Sequence, residues 1–191
     1  EPSPSPVKRV AIEMGLPVIH EIEEIENFEI DLAVVVAYGS FIPIDLLERV
    51  PMINVHFSLL PRWRGPAPIE RAILAGDTKS GVCVMKVGEE FDVGDVFTRQ
   101  EVEISPLDTT ETLRDRLVEA GCELLVSTLD DGLSEPEPQV GEIVWAEKVT
   151  SQEREIDWGL EAEKIDRLVR VGGAWTTFRG ERFKIWKTEA T

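Results

Sequence analysis

The run "LAVVVAYG", residues 32–39, constrains the fold more than any other stretch of the chain. It is apolar without alternation, rich in β-branched residues and closed by glycine. That is the pattern of a strand covered on both faces in a parallel sheet. A second apolar run, "MINVHF" at 52–57, follows the short helical segment "PIDLLERV". "APIERAILAG" then reads as a helix that Gly76 ends. Strands alternating with helices predict a doubly wound parallel sheet with right-handed crossovers. Upstream, "SPVKRVAIEMG" reads as a helix capped by Ser5 with Pro6 in its first turn, "LPVI" as a short strand and "EIEEIENFEID" as an acidic connector, part of it helical.

The pattern changes beyond residue 80. "GVCVMKV" and "DVFTRQEVEI" read as strands joined by "GEEFDVG", which suits a hairpin better than a crossover. "DTTETLRDRLVEAGCELLVSTLDDG" reads as a long amphipathic helix whose apolar stripe takes in Leu113, Leu117, Cys122, Leu124, Leu125 and Leu129. "LSEPEPQVGE" is acidic and proline-rich, the composition of a connector. After "IVWAEKV" come a helix at 160–171 and two β-like runs, "AWTTF" and "RFKIWK", split by the turn "RGE". This last piece is too short to hold a core of its own and reads as the start of a second domain.

Charge is uneven. The chain of 191 residues carries a net −17, which argues against a polyanionic partner until its distribution is read. Residues 167–187 hold Arg167, Arg170, Arg179, Arg182, Lys184 and Lys187 against Glu181 alone, a local +5, so the rest sums to −22. A basic segment on an acidic body suits short-range contact with phosphates or, equally, a solvated surface. The opening "EPSPSPVK" has neither the charged nor the apolar region of a secretory signal. No apolar run approaches the ~20 residues of a spanning helix. Cys83 and Cys122 lack any CxxC or metal-ligand spacing and read as buried free thiols of a cytoplasmic protein.

Ligands in open parallel sheets bind beyond the carboxyl ends of the strands. Asn54 and His56 end one such strand, and Tyr38 and Gly39 end its expected neighbour. Alternation points residues 54 and 56 the same way. An amide donor and an imidazole therefore converge, a pair able to bind an oxyanion and move a proton in acyl transfer. The other reading is a core histidine bonded to a backbone carbonyl beside a turn-forming asparagine. Asp92, in the glycine-flanked loop "EEFDVGD", is the carboxylate available to orient the imidazole, with Asp95 as its rival.

With these residues assembled, "NVHFSLLPRWRGPAPIERAILAGDTKSGVCVMKVGEEFDVGDVF" resembles the folate-dependent formyltransferases, and among them the subfamily that acts on tRNA. The family's Asn-x-His matches Asn54 and His56, its "SLLP" folate loop matches Ser58, Leu59, Leu60 and Pro61, and its Asp-x-Gly aspartate matches Asp92. "SPVK", "VVVAYGSFIP" and "IDW" extend the likeness over nearly the whole chain. The resemblance implies a Rossmann-like parallel-sheet α/β fold, its first strand absent here, followed by the beginning of a small β-rich C-terminal domain. Residues 1–135 are then the catalytic domain, 136–158 a linker, and 159–191 the start of a tRNA-binding domain. The native protein is expected to be longer.

The same resemblance implies transfer of a formyl group from 10-formyltetrahydrofolate, as cosubstrate, to the α-amine of methionyl initiator tRNA. Asn54 and His56 would stabilise the oxyanion and Asp92 would orient His56. The pterin would lie between "AYGSFI" and "VGEEFD", with Gly39, Ser40, Phe41, Ile42, Val87, Glu90 and Phe91 beside the "SLLP" residues. Arg62, Arg64, Arg179, Arg182, Lys184 and Lys187 would meet tRNA. Neither a metal nor a membrane is implied, and the family habit is a cytoplasmic monomer. Sugar-nucleotide N-formyltransferases and formyltetrahydrofolate hydrolases share the same trio, and an inactive binding module is the reading from outside enzymology.

Overall fold

In the computed structural model, residues 4–189 are described, so the first three residues of "EPSPSPVK" lie outside them. The chain divides into two compact units, Glu1–Asp31 and Leu32–Thr191. In the first, α1 (Pro6–Glu13) starts where the Ser5 hydroxyl accepts from the Lys8 N–H and Pro6 fills the first turn. A 3₁₀ helix, Ile22–Asn27, lies within the acidic connector. "LPVI" is not a strand, contrary to expectation. A strand needs a neighbour for its N–H and C=O groups, and this unit supplies none among its described residues.

The second unit is built on a four-stranded sheet. Its strands are β1 (Ala33–Val35), β2 (Met52–His56), β4 (Lys79–Lys86) and β5 (Val96–Glu103), in the order β1-β2-β4-β5. α2 (Ile44–Arg49) connects β1 to β2, which run parallel with Val34 opposite Ile53. Both remaining pairings are antiparallel, with His56 opposite Cys83 and Cys83 opposite Arg99. The sheet is therefore mixed, and the expected parallel arrangement holds for one pair. The β4–β5 loop is too short for a crossover, which takes roughly a dozen residues or more, and the hairpin reading of that loop holds. β1 also differs from expectation. It is an edge strand of three residues, and Val34 is 41% exposed, so it is not covered on both faces.

Between β2 and β4 the chain makes β3 (Arg62–Arg64) and α3 (Pro68–Ala75), the latter ended by Gly76 in the left-handed region. α4 (Thr110–Asp130) and α3 cover one face of the sheet through Val55, Ile73, Val82, Leu113 and Leu117. Each of these aliphatic side chains contributes about 1.5–3 kcal/mol by leaving water. Leu113 and Leu117 hold their expected positions, but Cys122 is exposed. The buried stripe passes instead through Ala120 and Gly121. A Cβ on Gly121 would stand 3.3 Å from a ring carbon of Phe57, so glycine allows the helix to sit this close. Cys83 is buried as expected, and burial pushes its thiol pKa up.

The other face carries a smaller cluster of Leu60, Cys83, Met85 and Val96. The connector after α4 returns as β6 (Val144–Trp145), parallel to β3 with Arg64 opposite Trp145. α5 (Ala162–Val171) buries Ile165, Leu168 and Val169 with Ile156 and Ala174, and Leu74 of α3 packs on this cluster. β7 (Trp175–Phe178) and β8 (Glu181–Lys184) then form an antiparallel hairpin.

Candidate active site

Strand alternation sends Val55 into the core under α4 and turns Asn54 and His56 to the opposite face. The β4–β5 loop brings Asp92 over that face. Its φ of +56° is a left-handed conformation that aspartate tolerates better than most residues. Asp92 Oδ1 lies 3.4 Å from Asn54 Nδ2 and 3.4 Å from His56 Nδ1. Asp92 Oδ2 accepts the Gly65 N–H at 2.8 Å. The structure thus brings Asn54, His56 and Asp92 together. Asp95 instead joins the β4–β5 ladder through its carbonyl, which accepts from the Lys86 N–H at 2.8 Å.

His56 is 6% exposed, and its Nε2 lies 2.9 Å from the Trp63 carbonyl. A carbonyl only accepts, so Nε2 carries the hydrogen. Both readings of this histidine are realised in part: it is a buried ring bonded to a carbonyl, and it faces a carboxylate. The Nδ1–Oδ1 separation exceeds that of a well-formed hydrogen bond, so the ring is not locked to Asp92.

A groove opens at this corner. Its walls are Val35, Tyr38, Ser40, Phe41 and Ile42 on one side and Met85, Val87, Gly88, Glu89, Glu90 and Phe91 on the other, and it reaches Asn54 and Asp92. His56 stands behind these two and does not line it. The rings of Phe41 and Phe91 lie 4.3 Å apart at 45°, both exposed. Of the residues expected around a pterin, Ser40, Phe41, Ile42, Val87, Glu90 and Phe91 line the groove, and Gly39 sits in the same loop.

The "SLLP" residues do not line it. The Ser58 hydroxyl is buried and donates to the Arg62 carbonyl at 2.7 Å, Leu60 is core, and the Leu60–Pro61 peptide is cis. Leu59 and Pro61 border an outer cleft with Arg99 and Glu142. They lead into the loop whose Trp63 carbonyl and Gly65 N–H meet His56 and Asp92.

The six basic residues expected at tRNA divide. Arg62 makes a two-bond pair with Asp77, at 2.9 and 2.8 Å, which raises its pKa further, and it lies over the Trp63 ring at 4.4 Å. Trp63 Nε1 donates to the same carboxylate at 2.7 Å. Arg64 is 9% exposed, with its guanidinium donating to Gln139 Oε1 at 3.0 and 2.7 Å, so it presents no charge to solvent. Arg179, Arg182, Lys184 and Lys187 are exposed. Arg182 stacks on Trp175 at 3.8 Å, and Arg179 and Lys184 approach Phe178 and Trp186 at 5.2 and 6.0 Å.

Sequence reasoning missed three contributors: the Trp63 carbonyl, the Gly65 N–H and Gln139. Two are backbone groups. Glycine is required at position 65 by a φ of +116° and by a Cβ position 3.1 Å from the Ala146 carbonyl oxygen, but nothing in the sequence marks its N–H as a partner of Asp92. Gln139 lies in a stretch that composition assigns to a connector and had no signal either. Among the described residues no group of three or more His, Cys, Asp or Glu side chains is placed to hold a metal ion. No helix among them is long and apolar enough to cross a membrane.

Comparison with known proteins bears on this corner. A family model described as formyl transferase matches residues 19–129, and one described as formyl transferase, C-terminal domain, matches 148–191. Methionyl-tRNA formyltransferase of Paracoccus denitrificans (strain Pd 1222) is 42% identical over 203 residues, covering 98% of this chain and 68% of the relative. The protein of that name from Roseobacter denitrificans (strain ATCC 33942 / OCh 114) is 42% identical over 199 residues, covering 95% and 65%. The chain thus spans about two thirds of the length of these curated relatives. The solved structure of HypX from Aquifex aeolicus in complex with tetrahydrofolic acid shares the fold, with a TM-score of 0.74 at 24% identity over 84% of this chain and 29% of that one.

Proposed function

The chain belongs to the formyl transferase family, and from that premise we propose that it moves a formyl group from 10-formyltetrahydrofolate to the α-amine of methionyl initiator tRNA. The name of the sequence relatives supports the acceptor. One observation carries the chemistry: an amide donor, Asn54, and a carboxylate, Asp92, both front an open groove, with an imidazole behind them.

The groove suits a folate cosubstrate. Phe41, Ile42, Met85 and Val87 give apolar walls, and the loops at 38–42 and 87–91 offer backbone groups to a polar heterocycle. The exposed Phe41–Phe91 pair would gain by being covered. When bound, 10-formyltetrahydrofolate supplies the electrophilic formyl carbon.

As the amine attacks, negative charge grows on the formyl oxygen, and Asn54 Nδ2 donates to it. His56 keeps Nε2–H on the Trp63 carbonyl and faces Asp92 with Nδ1, so it supports the carboxylate from behind the groove. As the adduct collapses, the bond from the formyl carbon to N10 breaks and tetrahydrofolate leaves; Asp92, at the groove wall, takes the proton leaving the amine, directly or through a water, and passes it to N10. Its charge is steadied by the Gly65 N–H. Losing one oxyanion donor typically costs on the order of a hundredfold in rate. The hairpin cations Arg179, Arg182, Lys184 and Lys187 are read as the RNA contact, and the setting is the cytoplasm.

The test is formyl transfer from 10-formyltetrahydrofolate with three competing acceptors: methionyl initiator tRNA, a sugar-nucleotide amine and water. Transfer to the tRNA supports the proposal. Faster transfer to the sugar amine or to water would replace it with the transferase or hydrolase sharing the trio.

A further inference from the structure

Gln139 lies in the connector between α4 and β6, yet its amide group is fully hydrogen-bonded. Its Oε1 accepts twice from Arg64, from Nε at 3.0 Å and Nη2 at 2.7 Å. Its Nε2 donates twice to the β4–β5 loop, to the carbonyls of Asp92 at 2.9 Å and Gly94 at 2.8 Å. All four hydrogen-bonding places of the amide are filled. The reversed amide would set its NH₂ against the guanidinium donors, so the network determines which end faces which.

These bonds close a ring through three separate segments. Arg64 grips Gln139, Gln139 grips the Asp92 backbone, and the Asp92 carboxylate accepts the N–H of Gly65, the residue after Arg64. β3–β6 pairing, with Arg64 opposite Trp145, brings the connector alongside. Inside the ring sits a non-glycine residue at φ +56°, a conformation that persists where its surroundings hold it.

The choice of glutamine is informative. A buried arginine is served better by a carboxylate, which would complete an ion pair. A carboxylate, however, has no hydrogen for the carbonyls of Asp92 and Gly94. Only an amide satisfies the guanidinium and both carbonyls at once, and polarisation by the buried cation strengthens its two N–H donors. We propose that Gln139 is a positioning residue that sets the Asp92 carboxylate against Asn54, His56 and the groove. It is not a catalytic residue, because it does not line the groove. Its importance for turnover rests on the formyl-transfer reading above.

The test compares the wild-type chain with Gln139→Glu and Gln139→Met. Gln139→Glu keeps an acceptor for Arg64 and removes the donors, so thermal stability should hold or rise. Exchange of the Gly65 amide hydrogen, followed by NMR, should accelerate at least about tenfold as the loop loosens. Formyl-transfer kcat should fall about ten- to a hundredfold, the range for supporting residues, with KM for the formyl donor nearly unchanged. Gln139→Met lacks all four bonds and should lose stability as well. Unaltered Gly65 exchange in Gln139→Glu overturns the proposal. Faster exchange with kcat intact overturns it too, since the loop position would then not matter to the reaction. If the wild type transfers no formyl group to any acceptor, the functional reading falls, and Gly65 exchange alone decides whether Gln139 holds Asp92 in place.

Discussion

Two arginine-bearing regions of this chain use the same side chain in opposite ways. At the Asp92 corner, Arg64 is buried and spends its guanidinium on a glutamine that grips the loop behind the groove. On the β7–β8 hairpin, Arg182 and Arg179 are exposed and lie over aromatic rings. The corner is a closed set of hydrogen bonds ending on a carboxylate, the preorganisation that transition-state chemistry needs. The hairpin is a cationic, aromatic, solvent-facing surface suited to phosphates and bases. Both lie in a chain of net −17, so local arrangement and not overall charge distinguishes them.

Substitutions can break that contrast. Asn54→Ala should show the largest effect, a fall in formyl-transfer kcat of about a hundredfold or more with donor affinity nearly intact. Steady-state kinetics beside a binding titration would check it, and an affinity loss without a rate loss would move Asn54 to the recognition side. Arg64→Ala should act on stability. It strips Gln139 Oε1 of both donors in a buried setting, at about 2–3 kcal/mol, or roughly 5–10 °C in Tm. The same change at Arg182 should leave Tm nearly unmoved, and equal losses at both would erase the contrast.

Neutralising Arg179, Arg182, Lys184 and Lys187 together should raise KM for tRNA and flatten its salt dependence, by about 0.7–0.9 in log–log slope for each phosphate left without its cation. kcat at saturating tRNA should hold. A salt series on wild type and variant would read both, and an unchanged slope would make the hairpin a solvated surface.

The smallest effect concerns Glu153. The Arg71 guanidinium beside it holds its carboxyl at about 2, well below the ordinary carboxylate range. A depressed carboxyl stabilises the fold above its ordinary value near 4.5, and that gain is lost as pH falls through about 2. The pair is partly exposed, with the Glu153 side chain 41% accessible, so screening reduces the gain to less than about 1 kcal/mol. Unfolding curves of wild type and Glu153→Gln should converge below pH 2 and separate slightly above pH 4.5.

What the amino-acid sequence discloses follows the same division. Apolar runs reveal β2, β4 and β5, and capping residues mark α1 and α3, because these elements are set by local pattern. Burial of β1 is not legible, since Val34 reads the same at a sheet edge as at its centre. Nor is the direction of β4, which a crossover-length connection leaves open. Cys122 misleads because Gly121, with no apolar signal of its own, is what turns inward. At the candidate site, Asn54 and His56 are visible from spacing, and Asp92 from its loop. The Trp63 carbonyl and the Gly65 N–H carry no letter, and Gln139 meets Asp92 only through the three-dimensional path of the connector.

On the proposed reading, the Asp92 corner performs chemistry while the groove and the hairpin bind. The most direct measurement is single-turnover formyl transfer by Asp92→Asn, with the dissociation constant for the formyl donor taken on the same protein. The substitution keeps the size of the side chain and an oxygen for the Gly65 N–H, so the fold should be unchanged. The rate constant should fall at least about a hundredfold while the dissociation constant stays within about threefold. A preserved rate with weakened donor binding would remove Asp92 from the chemistry and make it part of the groove's binding surface.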